Sequence, residues 1–461
     1  MGEITIRQAQ ATPVPAPANT NPFGCLGPDG AVPFIFHSFA LKDGVVTDLG
    51  ALSPKDQNCS NAQAINARGD VAGVSENGLI DAVTGLIEDR AVRWENGEIH
   101  DLGTLGGPHS AAFGINNRGQ IVGLSLNDVP DVFSILDFLA YHTANGTQTR
   151  AFLWERDHMQ DLGTLGGPDA LAMFINQSGQ VTGVSYTNST PNATTGVPTV
   201  DPFLWKNGTM VDLGTLGGTN GSPLALNNAG QVIGTSNLAG DQTSDPFLWE
   251  KGNLIDLATN TSGATVVTAN AINDAGEIVG GAAFADAPFD AYLWRKGAAT
   301  DLGHLSGDCF SEAIAINSRE EAVGYSTCDF ANDHPILWKN GSMIDLNTAI
   351  PAGSNLQLVI ALAINERGEI AGLGVPAGCA PGDVDFSCGH AFLLIPCGEG
   401  DYGCGDSTAV ATTTSNIGLN NLGQHTSVAN PACLRMTNPV LRSLRARLIS
   451  PYRGLATQPQ K

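Results

Sequence analysis

Seven times along this chain a strand-like run ending in Asn, Ala-Ile-Asn in its cleanest copies, is followed by a turn and then a glycine. The Asn stands at Asn66, Asn116, Asn176, Asn227, Asn273, Asn317 and Asn365. The period, roughly 50 residues, is that of a four-stranded propeller blade or slightly longer. It is too long for a leucine-rich repeat, and its alternation is wrong for helical repeats.

The first half-motif reads A-x-A-I-N-x-x-G-x-I-V-G-x-S. Asn bonds its own backbone two residues on and starts a turn. Gly69, Gly119, Gly179, Gly230, Gly276 and Gly368 then fill a position that favours positive φ. Glu320 replaces the seventh, so that turn is expected to be strained or closed differently. The glycine seven residues after each Asn (Gly123 in the second copy) marks a close backbone approach or a bulge.

The second half-motif reads P/A-F-L-W-x-x-G-x-x-x-D-L-G-T-L-G-G. It holds all six tryptophans: Trp94, Trp154, Trp205, Trp249, Trp294 and Trp338. Between each Trp slot and the Asp seven residues later lies a turn such as Lys206-Asn207-Gly208, a strong hairpin signal. One module is therefore two hairpins. Four strands with an apolar face cannot stand alone in water, and stacking the sheets radially buries both faces. The expectation is an all-β protein, a β-propeller of about seven four-stranded blades, with the Trp side chains as wedges between blades. Six or eight blades, or an open β-solenoid, are the alternatives. The seven DLG aspartates, Asp48 to Asp345, are expected to be turn formers that accept backbone N–H bonds.

Composition agrees with this reading. Glycine numbers 56 and charged residues make up 15%, while 42% of the chain is apolar, enough for a core. The formal charge of −23 disfavours a nucleic-acid partner. No run of about 20 apolar residues is present to span a membrane.

Cys25, Cys59, Cys309, Cys328, Cys379, Cys388, Cys397 and Cys404 flank repeats or crowd the ends of the repeat region. Such placement suits disulfide staples and an oxidising compartment. Zinc spacing is absent. Met1–Ile6 lacks the basic start of a signal peptide. The cysteines are the stronger sign, and the expected location is extracellular or periplasmic.

The units Ala151-Phe152-Leu153-Trp154…Asp161-Leu162-Gly163-Thr164-Leu165-Gly166-Gly167 and Ile115-Asn116-Asn117-Arg118-Gly119-Gln120-Ile121-Val122-Gly123 resemble the HAF family of bacterial extracellular repeats. His390-Ala391-Phe392 keeps the tripeptide, and His37-Ser38-Phe39 keeps it loosely. The resemblance covers residues 37–395. It implies export and a repeat β-structure, and it supplies no catalytic residues.

Three regions follow: an extended arm over 1–32, the repeat propeller over 33–405, and a Thr/Ser linker with a basic tail over 406–461. Two residues before the motif's Phe stands a polar slot on one rim: His37, Arg90, Arg150, Asp201, Asp245, Asp290, His334 and His390. The loop entering that slot varies most in length, and variable loops on a rigid scaffold are where binding evolves. Its longest form carries an apolar run, 132–141, expected to form a small helix and pack on a neighbouring blade. Acidic pairs Asp241/Asp245, Asp286/Asp290 and Asp329/Asp333 offer oxygens to a hard cation such as Ca²⁺. No nucleophile elbow, HExxH or phosphate loop appears. The expected role is a secreted, non-catalytic binding or scaffold protein taking a glycan or protein ligand on one loop-rich face, acting as a monomer. The alternative is a secreted hydrolase or lyase with its site at the central mouth.

Overall fold

The computed structural model describes residues 14–15, 34–35, 37–42, 45–53, 58–135, 146–193, 195–285, 289–328, 333–350, 354–379 and 389–396. Cys25, Cys388, Cys397, Cys404, Asp286 and Asp329 lie outside them, as does most of both terminal regions.

The described chain is all-β and runs as successive antiparallel meanders. Sheet I comprises Ser60–Ile65, Val71–Ile80, Ile87–Glu95 and Glu98–Asp101. Sheet II comprises Ser110–Ile115, Ile121–Pro130, Thr147–Glu155 and His158–Asp161. Sheet III comprises Ala170–Ile175, Val181–Tyr186, Val200–Lys206 and Thr209–Asp212; sheet IV, Gly217–Leu226, Val232–Leu238, Ser244–Glu250 and Asn253–Asp256. These four belong to one compact unit. A second unit holds sheet V (Ile278–Ala283, Asp290–Arg295, Ala298–Asp301), sheet VI (Phe310–Ile316, Ala322–Thr327, His334–Lys339, Ser342–Asp345) and sheet VII (Leu356–Ile364, Ile370–Pro376, His390–Leu394). Each half-motif is one hairpin, as the sequence predicts, and the meandering four-stranded sheet is the blade of a β-propeller fold.

Within each unit, sheets pack face to face through the motif's apolar slots. Trp154 and Phe152 of sheet II share a cluster with Ala72 and Ala91 of sheet I. Trp205 and Phe203 of sheet III pack against Val122, Ala151 and Leu153 of sheet II. In the second unit Val323 of sheet VI packs with Leu358, Ala361 and Phe392 of sheet VII. Trp154 and Trp205 are therefore wedges between blades. A buried indole removes roughly 150–250 Å² from water, or about 4–6 kcal/mol of transfer free energy before entropy costs.

The repeated glycines have a steric cause. In sheet II the pairing shifts register between Val122 and Gly123, a bulge on the first strand. A Cβ on Gly123 would lie 1.9 Å from the Ala111 carbonyl oxygen. The same bulge and clash recur at Gly73, Gly183, Gly234, Gly324 and Gly372. The small side chain two residues before the Asn has a related cause. A Cβ on Gly114 would meet Ile175 Cγ2 and the Met173 carbonyl of the next sheet at 3.4 Å.

The motif Asn does more than start its turn. Asn116 Oδ1 accepts from the Arg118 and Gln120 backbone N–H groups at 3.0 and 3.1 Å. Its Nδ2 donates to Gln120 Oε1 at 2.7 Å and crosses to the Asn176 carbonyl of sheet III at 3.1 Å. Asn66 reaches the Asn116 carbonyl in the same way, Asn176 that of Asn227, and Asn227 that of Asn273. In the second unit Asn317 reaches Asn365. The residue after each Asn repeats the link, as where Asn117 N–H donates to Gln177 Oε1 at 2.9 Å. Each such bond contributes about 1 kcal/mol net, less than an indole. Packing therefore holds the sheets together, and the Asn joint fixes their offset.

The motif Ser closes the other side of the module. Ser125 and Ser185 accept from the Leu105 and Leu165 N–H groups of the preceding DLGTL loops, at 2.8 and 2.9 Å. Each DLG aspartate accepts the backbone N–H two residues on, from Gly50 at Asp48 to Asn347 at Asp345, as expected of turn formers.

Glu320 takes the left-handed conformation of the glycine it replaces, with φ 63°. Its turn bond to the Asn317 carbonyl is long, at 3.3 Å. Its carboxylate pairs with Arg295. Cys309 and Cys328 form a disulfide within sheet VI, and Cys59 and Cys379 are each disulfide-bonded.

Candidate functional site

The second strands of sheets I and II are ten residues long, against six or seven in the other sheets. In both, the first six residues are buried and the last three exposed. The buried part carries small and apolar side chains apart from Glu76 and is covered on both faces. Asn77–Ile80 and Asn127–Pro130 run past that cover, so the ends of these strands are exposed. Sheet III follows with a long connection between Tyr186 and Val200. This is the loop-rich rim.

The hairpin ends are built by side-chain capping. Asn77, Asn127 and Asn188 each accept the N–H two residues on, from Leu79, Val129 and Thr190, at 2.8–3.0 Å. Asp81 closes the first tip by accepting Val83 N–H, Thr84 N–H and Thr84 Oγ1–H. The tip is then tied to the next blade. His109, at the entry of sheet II and 1% exposed, places Nε2 3.4 Å from Asp81 Oδ2. Its Nδ1 accepts Asp89 N–H at 3.1 Å. With Nδ1 an acceptor, Nε2 carries the proton and faces the carboxylate.

The same joint recurs one blade on with different chemistry. Asp169, fully buried at the entry of sheet III, takes the place of His109. It accepts Ile135 N–H at 2.5 Å and Thr149 N–H at 2.9 Å, clamping both ends of the longest hairpin. Its facing group is Asp131, whose Oδ2 is shielded from solvent without a donor. Burial first, and then the Asp131 carboxylate, push Asp169 up to about 8. Asp169 therefore keeps its proton to higher pH than an ordinary carboxyl.

The polar slot pairs across the strands with the motif Ser, as Arg90 with Ser75, Arg150 with Ser125 and Asp201 with Ser185, but its members are largely spent on architecture. Arg150 binds Asp161 with Nε at 2.8 Å and donates Nη1 to the Pro168 carbonyl. Arg90 donates to Pro108 O and Glu88, with Asp101 at 3.8 Å. His37 lies 3.1 Å from Asp48, and His334 3.0 Å from Asp308. Where the slot is Asp, it faces the DLG carboxylate of its own blade. Burial and then Asp212 push Asp201 up to about 7. Asp245 is raised by burial and then Asp256. Asp290 is raised by burial, against the His304 bond at 2.8 Å. Burial lowers His390.

Of the acidic pairs, Asp241 is a turn residue with φ 57°, its carboxylate taken by Thr219 N–H, Thr219 Oγ1–H and Asn237 Nδ2. Its oxygens are thus occupied within its own sheet, while Asp245 faces Asp256. Asp333 is buried. Among the described residues no three or more His, Cys, Asp or Glu side chains gather as a metal site. Of the apolar run, Ile135 is buried and Phe133 half-buried against Leu171, Met173 and Tyr186 of sheet III, so this part packs on the neighbouring blade as expected. The helix expected beyond it lies outside the described residues.

The sequence matches no family model and no curated protein. Among solved structures the chain is similar to an oligogalacturonate lyase in complex with manganese, at 11% identity and TM-score 0.44 over 79% of this chain and 97% of that one. It is similar to the β-propeller domain of the Trilobed protease from Pyrococcus furiosus, at 10% identity and TM-score 0.37 over 68% and 87%. It is also similar to a prolyl endopeptidase, at 11% identity and TM-score 0.43 over 73% of this chain. The chain spans 49% of the length of that endopeptidase chain.

The joints Asp81–His109 and Asp131–Asp169 escape the sequence reading. Their signal was present as Gly107-Pro108-His109 and Gly167-Pro168-Asp169, where one slot exchanges a base for an acid. No helix of the described residues is long and apolar enough to cross a membrane.

Proposed function

We propose that this chain is a secreted, non-catalytic binding or scaffold protein of the HAF-repeat type, taking a protein or glycan ligand on the rim of sheets I–III. The observation that carries this reading is the asymmetry of the blades. The second strands of sheets I and II overrun their cover by about a turn's length, and their hairpins are braced by side chains of the following blade. Exposed arms braced in this way form a preorganised surface, which lowers the entropy cost of binding. The slot residues behind them are engaged in holding the blades, which fits a scaffold better than a reaction centre. The disulfide in sheet VI supports an oxidising compartment.

The test is a glycan and protein binding screen on the intact chain. It is run beside a variant in which Asn77–Leu86 and Asn127–Gly146 are cut to the short turns of the other blades. A ligand bound by the parent and lost in the shortened variant is expected. Unchanged binding by the variant, or turnover of a hydrolase or lyase substrate by both proteins, would overturn the reading.

A further inference from the structure

We propose that Asp201 and Asp212 of sheet III bind a hard divalent cation of the Ca²⁺ class; this stands apart from the binding reading above. The two carboxylates come from neighbouring strands. Strand pairing sets Phe203 opposite Asp212, which brings Asp201, two residues before Phe203, alongside that aspartate. The same register in sheet II sets Phe152 opposite Asp161. There the slot residue is Arg150, whose Nε lies 2.8 Å from Asp161 Oδ2. Sheet III thus puts an acid where sheet II puts a cation.

Other modules also place a basic side chain on these carboxylates. His37 meets Asp48 at 3.1 Å, and Arg90 lies 3.8 Å from Asp101. In sheet V His304 meets the slot Asp290 at 2.8 Å, and in sheet VI the slot His334 meets Asp308 at 3.0 Å. Sheet IV has an acid in the slot, but Asp256 spends its carboxylate on the Ala258 and Thr259 N–H groups and the Thr259 hydroxyl. Among the described residues sheet III has neither compensation. Asp212 gives one oxygen to Gly214 N–H at 2.7 Å. Asp201 is 9% exposed, and its Oδ1 is shielded from solvent without a hydrogen-bond donor. The charged group that acts on it is the Asp212 carboxylate. A buried carboxylate oxygen with no donor is costly to strip of water and calls for a counter-charge.

The donors select the ion. Both are carboxylates, and no His or Cys of the described residues gathers with them, which suits Ca²⁺ or Mg²⁺ rather than a transition metal. Asp212 is exposed, so water can complete the shell from its side. Ca²⁺ accepts about 6–8 oxygens in flexible geometry, whereas Mg²⁺ demands a near-ideal octahedron. Two carboxylates make a weak site, with a dissociation constant on the order of 10⁻⁴–10⁻³ M.

The experiment is isothermal titration calorimetry of CaCl₂ into the metal-stripped full chain, with MgCl₂ and ionic-strength-matched NaCl titrations beside it. One saturable Ca²⁺ site in that range is expected, with Mg²⁺ at least about tenfold weaker. Asp201→Asn and Asp212→Asn should each weaken Ca²⁺ binding by at least about tenfold, whereas Asp245→Asn should bind as the parent does. Asp201→Arg copies the pairing of sheet II. Its thermal midpoint should no longer rise with Ca²⁺, as the parent's should. Asp201→Asn removes a like charge, so its metal-free midpoint should not fall below the parent's, which separates loss of the ion from loss of the fold. Absence of a saturable Ca²⁺ heat, or Asp201→Asn binding like the parent, overturns the proposal. An equal loss in Asp245→Asn overturns it too, since the ion would then be held by the diffuse field of a chain of formal charge −23. The ligand screen on the shortened hairpins is a separate measurement, so this site and the binding reading can fail independently.

Discussion

At the scale of single residues, the Asn joint and the buried acid make opposite demands on protonation and donors. Asn116 uses both halves of its amide: the oxygen shapes its own turn and the nitrogen bridges to the next sheet. Asn116→Ala removes four hydrogen bonds and should cost about 2–4 kcal/mol, read as a lower urea midpoint. Asn116→Asp keeps the oxygen but sets a carboxylate against Gln120 Oε1 and the Asn176 carbonyl. It should be no better than Ala at neutral pH; parent-like stability would show that the bridge contributes nothing. Asp169 titrates in the other sense. Its folded value of about 8 stands above an unfolded value of about 3.9. The native state therefore binds the extra proton. That contribution is complete below about pH 4 and is lost as pH rises through 8, at up to about 1.4 kcal/mol per pH unit. Asp169→Asn cannot ionise, although its NH₂ replaces one of the two oxygens that accept the Ile135 and Thr149 N–H groups and so costs stability at low pH. The variant should gain on the parent steadily from pH 5 to pH 8 in thermal midpoint. A difference independent of pH would mean that the Asp131–Asp169 pair holds no proton.

At the scale of elements, two glycines of one blade separate shape from conformation. Gly123 faces a bulge, where a methyl group would meet the Ala111 carbonyl at 1.9 Å. Gly163 has φ 86° with nothing within 4 Å of its Cβ position. Gly163→Ala should cost about 1–2 kcal/mol, the penalty of left-handed backbone. Gly123→Ala must move a strand and should cost more, about 3 kcal/mol or above. Equal costs would mean that the bulge is soft. These elements were readable in the sequence because their causes are local. A bulge needs a small residue opposite it, a turn needs Asn and Gly at fixed offsets, and the indole repeats with its hairpin. The tip joints were not readable in the same way. His109 and Asp81 are 28 positions apart and meet only once sheet II has packed on sheet I. The engagement of the polar slot with the DLG aspartates was not readable either, because it depends on cross-strand register, which fixes Phe152 opposite Asp161 and so brings Arg150 alongside.

At the scale of the whole molecule, cohesion is a sum of neighbour terms, as in other repeat proteins. Within each compact unit neighbouring blades are joined by buried apolar side chains and by Asn bridges, as between sheets I and II, II and III, and VI and VII. A perturbation in one compact unit should therefore spread to its own sheets before it reaches the other's. The Cys309–Cys328 disulfide offers a clean case, since it closes a loop of 19 residues inside sheet VI. The chain-entropy model assigns such a loop about 3 kcal/mol. Replacing both cysteines with Ala should cost about that much and raise amide exchange across Phe310–Thr327 and the packed Leu356–Ile364 strand. Ile121–Leu126, deep in sheet II of the other unit, should keep the protection of the parent. Exchange that rises equally in both places would mean that the blades melt as one cooperative body, and that the neighbour-by-neighbour account of their stability is wrong.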